Sequence, residues 1–303
     1  MLEKTVFQEK ITTLLPEIEL RLNEPMAKHT SFRIGGPVEV MAFPKSREEL
    51  AQLLKTSAVL DVKPAILGAG TNILAPDAGM TGMVICLKEG LGGMEQTGEN
   101  TIEIGAGISM SKAAVFAASL GLSGLEFAHG IPGSVGGGVY MNAGAYGGEI
   151  CQVCTSVDVM LSDGQIKTYA GDEMNFSYRH SRMEDEQGIV LSAVFSLERK
   201  PEEEIRAKMQ DLMSRRRTSQ PLDIPSAGST FKRPVGGYAA ALIDQSGLKG
   251  FQIGGAAVSQ KHAGFVVNLG GATAADVLAL MDAVSKKVYE DSGIRLEPEV
   301  RLW

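Results

Sequence analysis

The sequence predicts an α+β fold followed by a second, small α/β domain. Three observations support this prediction. The chain of 303 residues is longer than one usual globular core requires. Its composition, 44% hydrophobic and 21% charged, is that of a globular protein. Short β-rich runs separated by glycine turns alternate with helical stretches. We expect three parts: a helix and lead-in at 1–30, a main region at 31–200 with lobes at about 31–88 and 89–200, and a small domain at 201–303.

The elements of the first two parts follow from periodicity. Ile11, Leu14, Leu15 and Ile18 recur at helical spacing and predict a helix over residues 5–23. From residue 31 the pattern changes to short β-rich runs, which predict strands at 38–43, 64–67, 84–87, 101–104, 153–161 and 188–197. Helices are predicted between them, at 46–56 and 109–120.

A charged helix over residues 202–217 is predicted to connect this region to the small domain. Beyond it we predict helices at 237–246 and 272–289 and strands at 256–258, 265–269 and 294–302. The second of these helices carries an apolar stripe of Val277, Met281, Val284 and Val288, which is typical of a helix packed on a core.

The charge balance excludes several classes of partner. Lys and Arg total 29 against 36 Asp and Glu, so the net charge of −7 attracts neither nucleic acid nor an anionic membrane. An anionic ligand needs a local cationic pocket. The N-terminal residues mix acids and bases, unlike a secretory signal, and the longest uncharged run, 127–148, is too rich in glycine to span a membrane. We therefore expect a cytoplasmic protein.

The three cysteines predict no disulfide framework. Cys151 and Cys154 form a CxxC pattern, but the sequence has no second CxxC and only four scattered histidines, so we expect no metal site. We expect Cys151 and Cys154 to be two half-buried strand residues without a chemical role. The less favoured alternative is that they bind structural zinc or carry out redox chemistry.

Two glycine-rich segments predict a site for a diphosphate. Residues 121–148 contain ten glycines, and the turn LGAGTNIL (67–74) directly follows a predicted strand. Such density allows main-chain N–H groups to approach an anion closely. The third glycine of a dinucleotide fingerprint is missing after both Gly68-x-Gly70 and Gly105-x-Gly107, and no GxxxxGK[ST] occurs, so neither a Rossmann fold nor a P-loop is supported. The alternative is that these glycines only permit tight turns and packing.

Six motifs carry a resemblance to a known family. They are HTSFRIGG (29–36), LGAGTNIL (67–74), GIPGSVGGGVYMNAGAYGGEI (130–150), YRHS (178–181), AGSTFKRP (227–234) and LEPEVR (296–301). Together they run through nearly the whole chain in one order. The sequence resembles the UDP-N-acetylenolpyruvoylglucosamine reductases, which make UDP-N-acetylmuramate for peptidoglycan.

This resemblance implies a fold and an activity. Residues 31–200 would be a two-part FAD-binding region of the vanillyl-alcohol-oxidase (PCMH) type, and residues 201–303 a substrate-binding domain whose last strand (294–303) packs back toward the flavin. The implied cofactor is non-covalent FAD, the reductant NADPH, with NADH as the alternative, and the substrate a UDP-sugar. We expect the protein to be a monomer. The alternatives are a flavin-dependent alcohol or sugar oxidase of the same fold and a non-catalytic flavin or nucleotide-sugar sensor.

The same resemblance assigns the cofactor residues. Those expected at FAD are Leu67, Gly68, Ala69, Gly70, Thr71, Asn72, Ile73, Leu74, Gly130, Pro132, Gly133, Ser134, Gly137, Asn142, Ala143, Gly144 and Ala145.

It also assigns three catalytic residues. Arg179 would grip the substrate carboxylate, since a guanidinium can donate two parallel hydrogen bonds; taken alone, an arginine at this place indicates a surface ion pair, and Arg182 is a nearby competitor. Glu299 would stabilise the enolic intermediate with Arg179, and we expect its side chain to be buried. Ser229 would protonate the alkene carbon, although an isolated AGS indicates only a turn.

Five further residues are the candidates for holding the uridine diphosphate: Tyr178, Arg217, Gln220, Lys232 and Arg233. Relatives often have asparagine where this chain has Arg233, so its role is the least supported. The chain also lacks a tyrosine-bearing insertion after Arg179, which places it in a compact subgroup of the family.

Overall fold

The computed structural model describes residues 5–88 and 90–303. The chain divides into two compact units, each built from discontinuous stretches. The first unit comprises Met1–Leu22, Glu39–Ala69 and Gly82–Arg215. The second unit comprises Asn23–Val38, Gly70–Thr81 and Arg216–Trp303. The glycine turn 67–74 is therefore divided, with its first three residues in the first unit and the rest in the second.

The helices and strands of the described residues are as follows. The α-helices are α1 (Val6–Leu14), α2 (Arg47–Val59), α3 (Met110–Ser119), α4 (Val135–Tyr140), α5 (Arg182–Glu186), α6 (Glu202–Ser219), α7 (Ala239–Gln245) and α8 (Ala274–Ser292). The strands are β1 (Glu19–Pro25), β2 (Pro37–Phe43), β3 (Ala65–Leu67), β4 (Ile73–Leu74), β5 (Met80–Cys86), β6 (Met94–Gln96), β7 (Thr101–Gly105), β8 (Leu122–Ser123), β9 (Gly144–Ala145), β10 (Gly148–Glu149), β11 (Cys154–Met160), β12 (Ile166–Ala170), β13 (Ile189–Ser196), β14 (Glu198–Arg199), β15 (Gln252–Ile253), β16 (Ala256–Val258), β17 (Val266–Asn268) and β18 (Arg301–Leu302).

The N-terminal helix is shorter than predicted. A capping box starts α1, because the Thr5 hydroxyl accepts from the N–H of Gln8 while the Gln8 side chain accepts from the N–H of Thr5. The helix ends at Leu14, since Pro16 disfavours helical backbone at the residue before it. Glu19–Pro25 then alternates exposed and half-buried side chains as strand β1, so the prediction of a helix through residue 23 is wrong.

An antiparallel sheet of order β12-β11-β13-β7-β6 lies in the first unit. Val157, Ala193 and Ile104 occupy one row across its centre, and all three are buried in the core of this unit. Helix α3, predicted at 109–120, packs five buried side chains on that core. Strand β12 was missed because Tyr169 is its one buried side chain and no apolar alternation marks it.

Strand β3 leads into the first glycine turn. It pairs in parallel with β5, with Ala65 opposite Val84 and Leu67 opposite Cys86. The carbonyl of Leu67 also accepts a 2.8 Å hydrogen bond from the N–H of Leu87. The strand therefore ends at a fixed point, directly before Gly68, as the sequence predicts.

The second unit has its own core. Strands β15, β16 and β17 form an antiparallel sheet, and α8 buries Val277, Leu280, Met281, Val284 and Val288 in the same hydrophobic cluster. The predicted apolar stripe is confirmed, with Leu280 added to it. The N-terminus of α8 is doubly capped: Thr273 and Asp276 form a capping box, and Asp77 accepts from the N–H groups of Ala274 and Ala275 at 2.7 and 3.0 Å.

The C-terminal tail forms less regular strand than predicted. Only Arg301–Leu302 is a strand, and it pairs in parallel with Ile73–Leu74 of the glycine turn. Before it, residues 297–300 run alongside Thr230 and Lys232, held by hydrogen bonds from Glu299 and to Glu297. Pro298 cannot donate to a ladder, which interrupts regular pairing here.

The glycine-rich segment 130–148 contains a short helix that the sequence does not predict. Helix α4 starts at Val135 because the Ser134 hydroxyl caps it by accepting from the N–H of Gly137 at 3.3 Å.

In the part of the chain that the structure describes, no helix combines the length and apolarity needed to cross a membrane.

Candidate active site

The two glycine-rich segments approach each other within the first unit. A Cβ at Gly68 would lie 2.7 Å from the Ser134 hydroxyl oxygen, so glycine is required for this approach. The second segment is anchored to the first residue of α3 and to the loop that joins β7 to α3. Met110 donates to the carbonyl of Gly133 at 3.0 Å, Val135 donates to Ile108 at 2.7 Å, and Gly136 donates to Ala106 at 2.9 Å.

Gly137 tests whether the two glycine-rich segments fit a cofactor. Gly137 is exposed, and a Cβ built on it would make only an ordinary contact, 3.4 Å from the Ser134 hydroxyl. The packing of the unit therefore does not require glycine at this position, and a ligand can approach the bare main chain. Gly144 differs, because a Cβ there would lie 2.6 Å from the Glu149 side chain. The residues around Gly68, Ser134 and Gly137 thus fit a diphosphate.

The remainder of the first glycine turn lies in the second unit. Gly70 has φ +64°, and its carbonyl accepts a 3.0 Å hydrogen bond from the N–H of Ser31 in the HTSFRIGG motif. The hydroxyl of Ser31 donates to the carbonyl of Ser226 at 2.7 Å. The Asn72 side chain donates to the carbonyl of Glu299 at 3.2 Å. Within this unit, the glycine turn is thus bonded directly to the LEPEVR segment and, through Ser31, to the residue that precedes AGSTFKRP.

Arg179 lies at the tip of a tight turn in the first unit. Ser177 and His180 exchange main-chain hydrogen bonds of 3.1 and 3.2 Å across the base of this turn. Arg179 has a left-handed backbone with φ +57° and is half-buried. Its guanidinium donates to the carbonyl of Gly144 at 3.4 Å and lies 5.0 Å from the centre of the Tyr178 ring. The predicted carboxylate-binding arginine and the NAGAYG loop (142–147) are therefore neighbours.

Arg182, the nearby competitor, is occupied by contacts within its own unit. It donates to Glu186 at 2.6 Å and to the carbonyl of Glu173 at 3.0 Å, and it lies over the Tyr169 ring. The hydrogen bond with Glu186 raises the pKa of Arg182. The hydrogen bonds from Tyr169 and Arg182 lower the pKa of Glu186. These contacts favour a structural role for Arg182.

In the second unit, Thr230 links the segment of Ser229 to the segment of Glu299. Thr230 is buried, and its carbonyl accepts a 2.8 Å hydrogen bond from the N–H of Glu299. Ser229 itself is exposed, and Gly228 before it has φ +78°. The Glu299 side chain is only half-buried, so the expectation of a buried carboxyl is wrong. Thr230 and Asn72 hold the main chain of Glu299 at its N–H and its carbonyl.

Thr230 is a residue that the sequence reasoning missed. Its hydroxyl accepts a 2.9 Å hydrogen bond from the N–H of Val266, and its own N–H donates to the carbonyl of Gly264 at 2.9 Å. The one available signal was a β-branched hydroxyl residue next to Ser229 in AGSTFK, which does not by itself predict burial.

The predicted diphosphate-binding side chains of the second unit are found in different settings. Lys232 lies 3.6 Å from Glu297, whose side chain is 75% exposed, so this pair is weak and can open. The Arg233 guanidinium stacks 4.1 Å from the centre of the exposed Tyr238 ring. Arg217 is exposed, and its carbonyl accepts from Lys261 at 2.5 Å. Gln220 is half-buried and donates through its N–H to Arg216 at 2.8 Å.

The CxxC cysteines have little thiolate character. Burial raises the pKa of Cys154 to about 12 and also raises the pKa of Cys151. Cys154 begins strand β11, but Cys151 is exposed and lies in a short 3-10 helix (Ile150–Gln152), so the expectation of two half-buried strand residues is wrong for Cys151. Among residues 5–88 and 90–303, no three His, Cys, Asp or Glu side chains cluster as a metal site would need.

Family models match both halves of the chain. Residues 38–170 match the FAD binding domain. Residues 220–303 match the C-terminal domain of UDP-N-acetylenolpyruvoylglucosamine reductase. These matches confirm the predicted combination of an FAD-binding region with the C-terminal domain of this reductase family.

Individual relatives are similar over almost their whole length. The UDP-N-acetylenolpyruvoylglucosamine reductase of Agathobacter rectalis is 46% identical over 307 residues, covering 98% of this chain and 98% of the relative. That of Caldanaerobacter subterraneus is 47% identical over 297 residues, with the same coverage. The crystal structure of the enzyme of this name from Thermus caldophilus superimposes with a TM-score of 0.80 at 36% identity, covering 95% of this chain and 99% of that one.

A more distant neighbour shares the fold alone. Alkyldihydroxyacetonephosphate synthase superimposes with a TM-score of 0.50 at 16% identity over 66% of this chain. The sequence identity to relatives over nearly their whole length and the two matching domains lead to one conclusion. The chain belongs to the UDP-N-acetylenolpyruvoylglucosamine reductase family.

Proposed function

We propose that this chain reduces UDP-N-acetylenolpyruvoylglucosamine to UDP-N-acetylmuramate with NADPH and non-covalently bound FAD. The observation that carries the proposal is the 46% identity to a reductase of that name across 98% of both chains. The matching FAD binding domain at 38–170 supports the cofactor. The reaction is a step in the synthesis of peptidoglycan precursors.

The two glycine-rich segments would hold FAD, which supplies hydride when bound. At Gly137 the exposed main chain carries no side chain that would keep the diphosphate away. Ser134 also holds the start of α4 in place by accepting from Gly137. The protein's part is thus to bind and orient the cofactor.

Arg179 would hold the carboxylate of the enolpyruvyl group. Saturating the double bond places negative charge on this carboxylate before the neighbouring carbon gains its proton. A guanidinium with two parallel donors stabilises that charge. The turn that carries Arg179 supports this role, because its tip position and left-handed backbone fix where the side chain starts.

Ser229 would give the proton to the alkene carbon, and Glu299 would stabilise the enolic form of the substrate. Ser229 is exposed, so its hydroxyl can contact a ligand. A hydroxyl is a weak acid at neutral pH, but an enolic carbon held in contact with it is basic enough to accept the proton. The hydrogen bond from the Glu299 N–H to Thr230 supports a joint role for the two segments.

The diphosphate and uridine of the substrate would contact Tyr178, Arg217, Gln220, Lys232 and Arg233. Because the net charge is −7, an anionic substrate needs local cations, and Arg217, Lys232 and Arg233 are the cations of this set. Lys232 can leave its exposed partner Glu297 at little cost. We place the enzyme in the cytoplasm as a monomer, where its product serves cell-wall synthesis and hence cell shape and division.

The test is a redox assay on the purified protein. We expect extractable FAD and NADPH oxidation that depends on the enolpyruvyl substrate and yields UDP-N-acetylmuramate. A flavin oxidase would instead consume oxygen with an alcohol or sugar, and a sensor would bind FAD without turnover. A colourless protein that cannot take up FAD would refute the proposal. Light scattering during gel filtration checks the monomer.

A further inference from the structure

Asn142 follows the end of α4 by two residues and is the first residue of the NAGAYG loop (142–147). Its side chain is 1% exposed and its backbone is left-handed, with φ +42°. An asparagine adopts this backbone more readily than most residues, yet it still carries strain that glycine would not. The burial of a polar amide at such a position requires that its hydrogen bonds be made inside the protein.

The Asn142 side chain is fully occupied by three neighbours. Its amide nitrogen donates to the carbonyl of Ser177 and to the carboxylate of Glu149, both at 3.1 Å. Its oxygen accepts a 2.9 Å hydrogen bond from the N–H of Cys151. Both N–H donors are therefore used, and the side chain faces the protein. Any contact of Asn142 with a cofactor would come from its main chain.

One of these bonds holds the base of the Arg179 turn. Ser177 is the first residue of that turn, and Ser181, the residue after it, donates through its hydroxyl to the carbonyl of Tyr140 at 2.8 Å. Ser181 is completely buried. Both ends of the turn are thus attached to residues 140–142, and Arg179 reaches Gly144 beyond them.

We infer that Asn142 is a positioning residue that fixes Arg179 against the NAGAYG loop, with Ser181 as the second attachment point. This inference rests on the proposed function of Arg179. The side chain of Asn142 touches neither the substrate nor reacting atoms in this assignment. It acts by holding the turn, and a displacement of about 1 Å at a binding group can lower a rate about 100-fold.

The test variant is Asn142→Gly, which removes the side chain and keeps the left-handed backbone free of strain. The matched control is Gln187→Gly, another amide residue of the first unit with a positive φ, +55°, whose side chain is exposed. We expect Asn142→Gly to retain FAD and normal flavin reduction by NADPH. Its turnover of the enolpyruvyl substrate should fall about 10- to 100-fold, while Gln187→Gly stays at the wild-type rate.

A double-mutant cycle separates positioning from general destabilisation. If Asn142 acts through Arg179, adding Asn142→Gly to Arg179→Ala should cause no further loss of turnover. Losses that multiply would overturn the inference. Ser181→Ala should behave like Asn142→Gly in the same cycle, and it replaces that variant if Asn142→Gly does not fold.

Hydrogen exchange gives a readout that does not depend on activity. The N–H groups of Ser177 and His180 should exchange faster in Asn142→Gly than in wild type and in Gln187→Gly. Unchanged exchange with unchanged turnover would refute the positioning role alone. A wild-type protein without substrate-dependent NADPH oxidation would refute the proposed function and the inference with it.

Discussion

The N–H of Glu299 donates a 2.8 Å hydrogen bond to the carbonyl of Thr230. Through this bond the last motif of the chain lies next to the residue that follows Ser229. Thr230 is in turn fixed at its hydroxyl by the N–H of Val266 and at its own N–H by Gly264. The proposed proton donor Ser229 and Glu299, the proposed stabiliser of the enolic form, therefore lie next to one buried residue, Thr230.

Replacing this support should impair both residues. Thr230→Val keeps the shape but leaves the N–H of Val266 buried without an acceptor, which costs about 1–3 kcal/mol. We expect a lower midpoint in urea unfolding and slower turnover of the enolpyruvyl substrate. Thr230→Ser keeps the hydroxyl and should be close to wild type in both measurements. Equal behaviour of the two variants would show that the hydroxyl is not needed.

Ser229→Ala should separate the two halves of the reaction. The variant should still bind FAD and accept electrons from NADPH, because Ser229 has no part in those steps. Turnover of the enolpyruvyl substrate should fall about 10²- to 10⁴-fold, the usual loss when a positioned general acid is removed. Stopped-flow flavin absorbance measures both steps. Normal turnover would show that another group delivers the proton.

Gly137→Ala should weaken FAD binding without harming the apoprotein. The added methyl meets only an ordinary 3.4 Å contact within the protein, and alanine favours the helix over glycine by about 1 kcal/mol. The apoprotein should therefore melt at the same temperature or higher. A fluorescence titration with FAD should give a raised Kd.

Gly136→Ala is the matched control for that experiment. A Cβ at Gly136 would lie 2.8 Å from the Cβ of Ala106, so this substitution should lower the melting temperature of the apoprotein itself. If Gly137→Ala binds FAD as tightly as wild type, the diphosphate does not approach at Gly137.

Asp77→Ala should destabilise the second unit. Asp77 accepts from the first two N–H groups of α8, at 2.7 and 3.0 Å, and its charge suits a helix N-terminus. Its loss should cost about 1–2 kcal/mol. Asp77→Asn keeps one acceptor and should fall between this variant and wild type in urea unfolding. If the unfolding midpoint of Asp77→Ala equals that of wild type, the Thr273 cap alone is sufficient for α8.

Glu126 should make the stability of the first unit depend on pH. Burial alone would raise the pKa of Glu126, but hydrogen bonds from Ser123 and Gly124 and the charge of Lys208 outweigh it and lower this pKa. A carboxyl with a lowered pKa stabilises the fold above its unfolded pKa of about 4.3, and the contribution is lost as pH falls through the folded value.

The variant Glu126→Gln tests this dependence. It should unfold at lower urea than wild type at neutral pH, and the difference should shrink as pH falls below about 4.3. A difference in midpoint that stays constant from neutral to acidic pH would mean that the charge of Glu126 contributes nothing.

The sequence by itself determined the family, the α+β class and most of the helices, because these depend on local patterns. Ser109 caps α3 and Thr273 caps α8, because each side chain accepts from an N–H group three residues further along the chain. The glycine turn after β3 follows from a strand that ends at Leu67. Six motifs in order carried the family resemblance without any knowledge of contacts.

Only the tertiary structure decided which of these motifs meet. Thr230 receives the N–H of Glu299 from a distant part of the chain, and the Asn142 amide reaches Ser177 across the base of a turn. The tertiary structure also shows that Glu299 is half-buried and that α1 stops before Pro16. Such pairings depend on where the chain folds back, and composition and periodicity carry no information on the partner that satisfies a buried polar group.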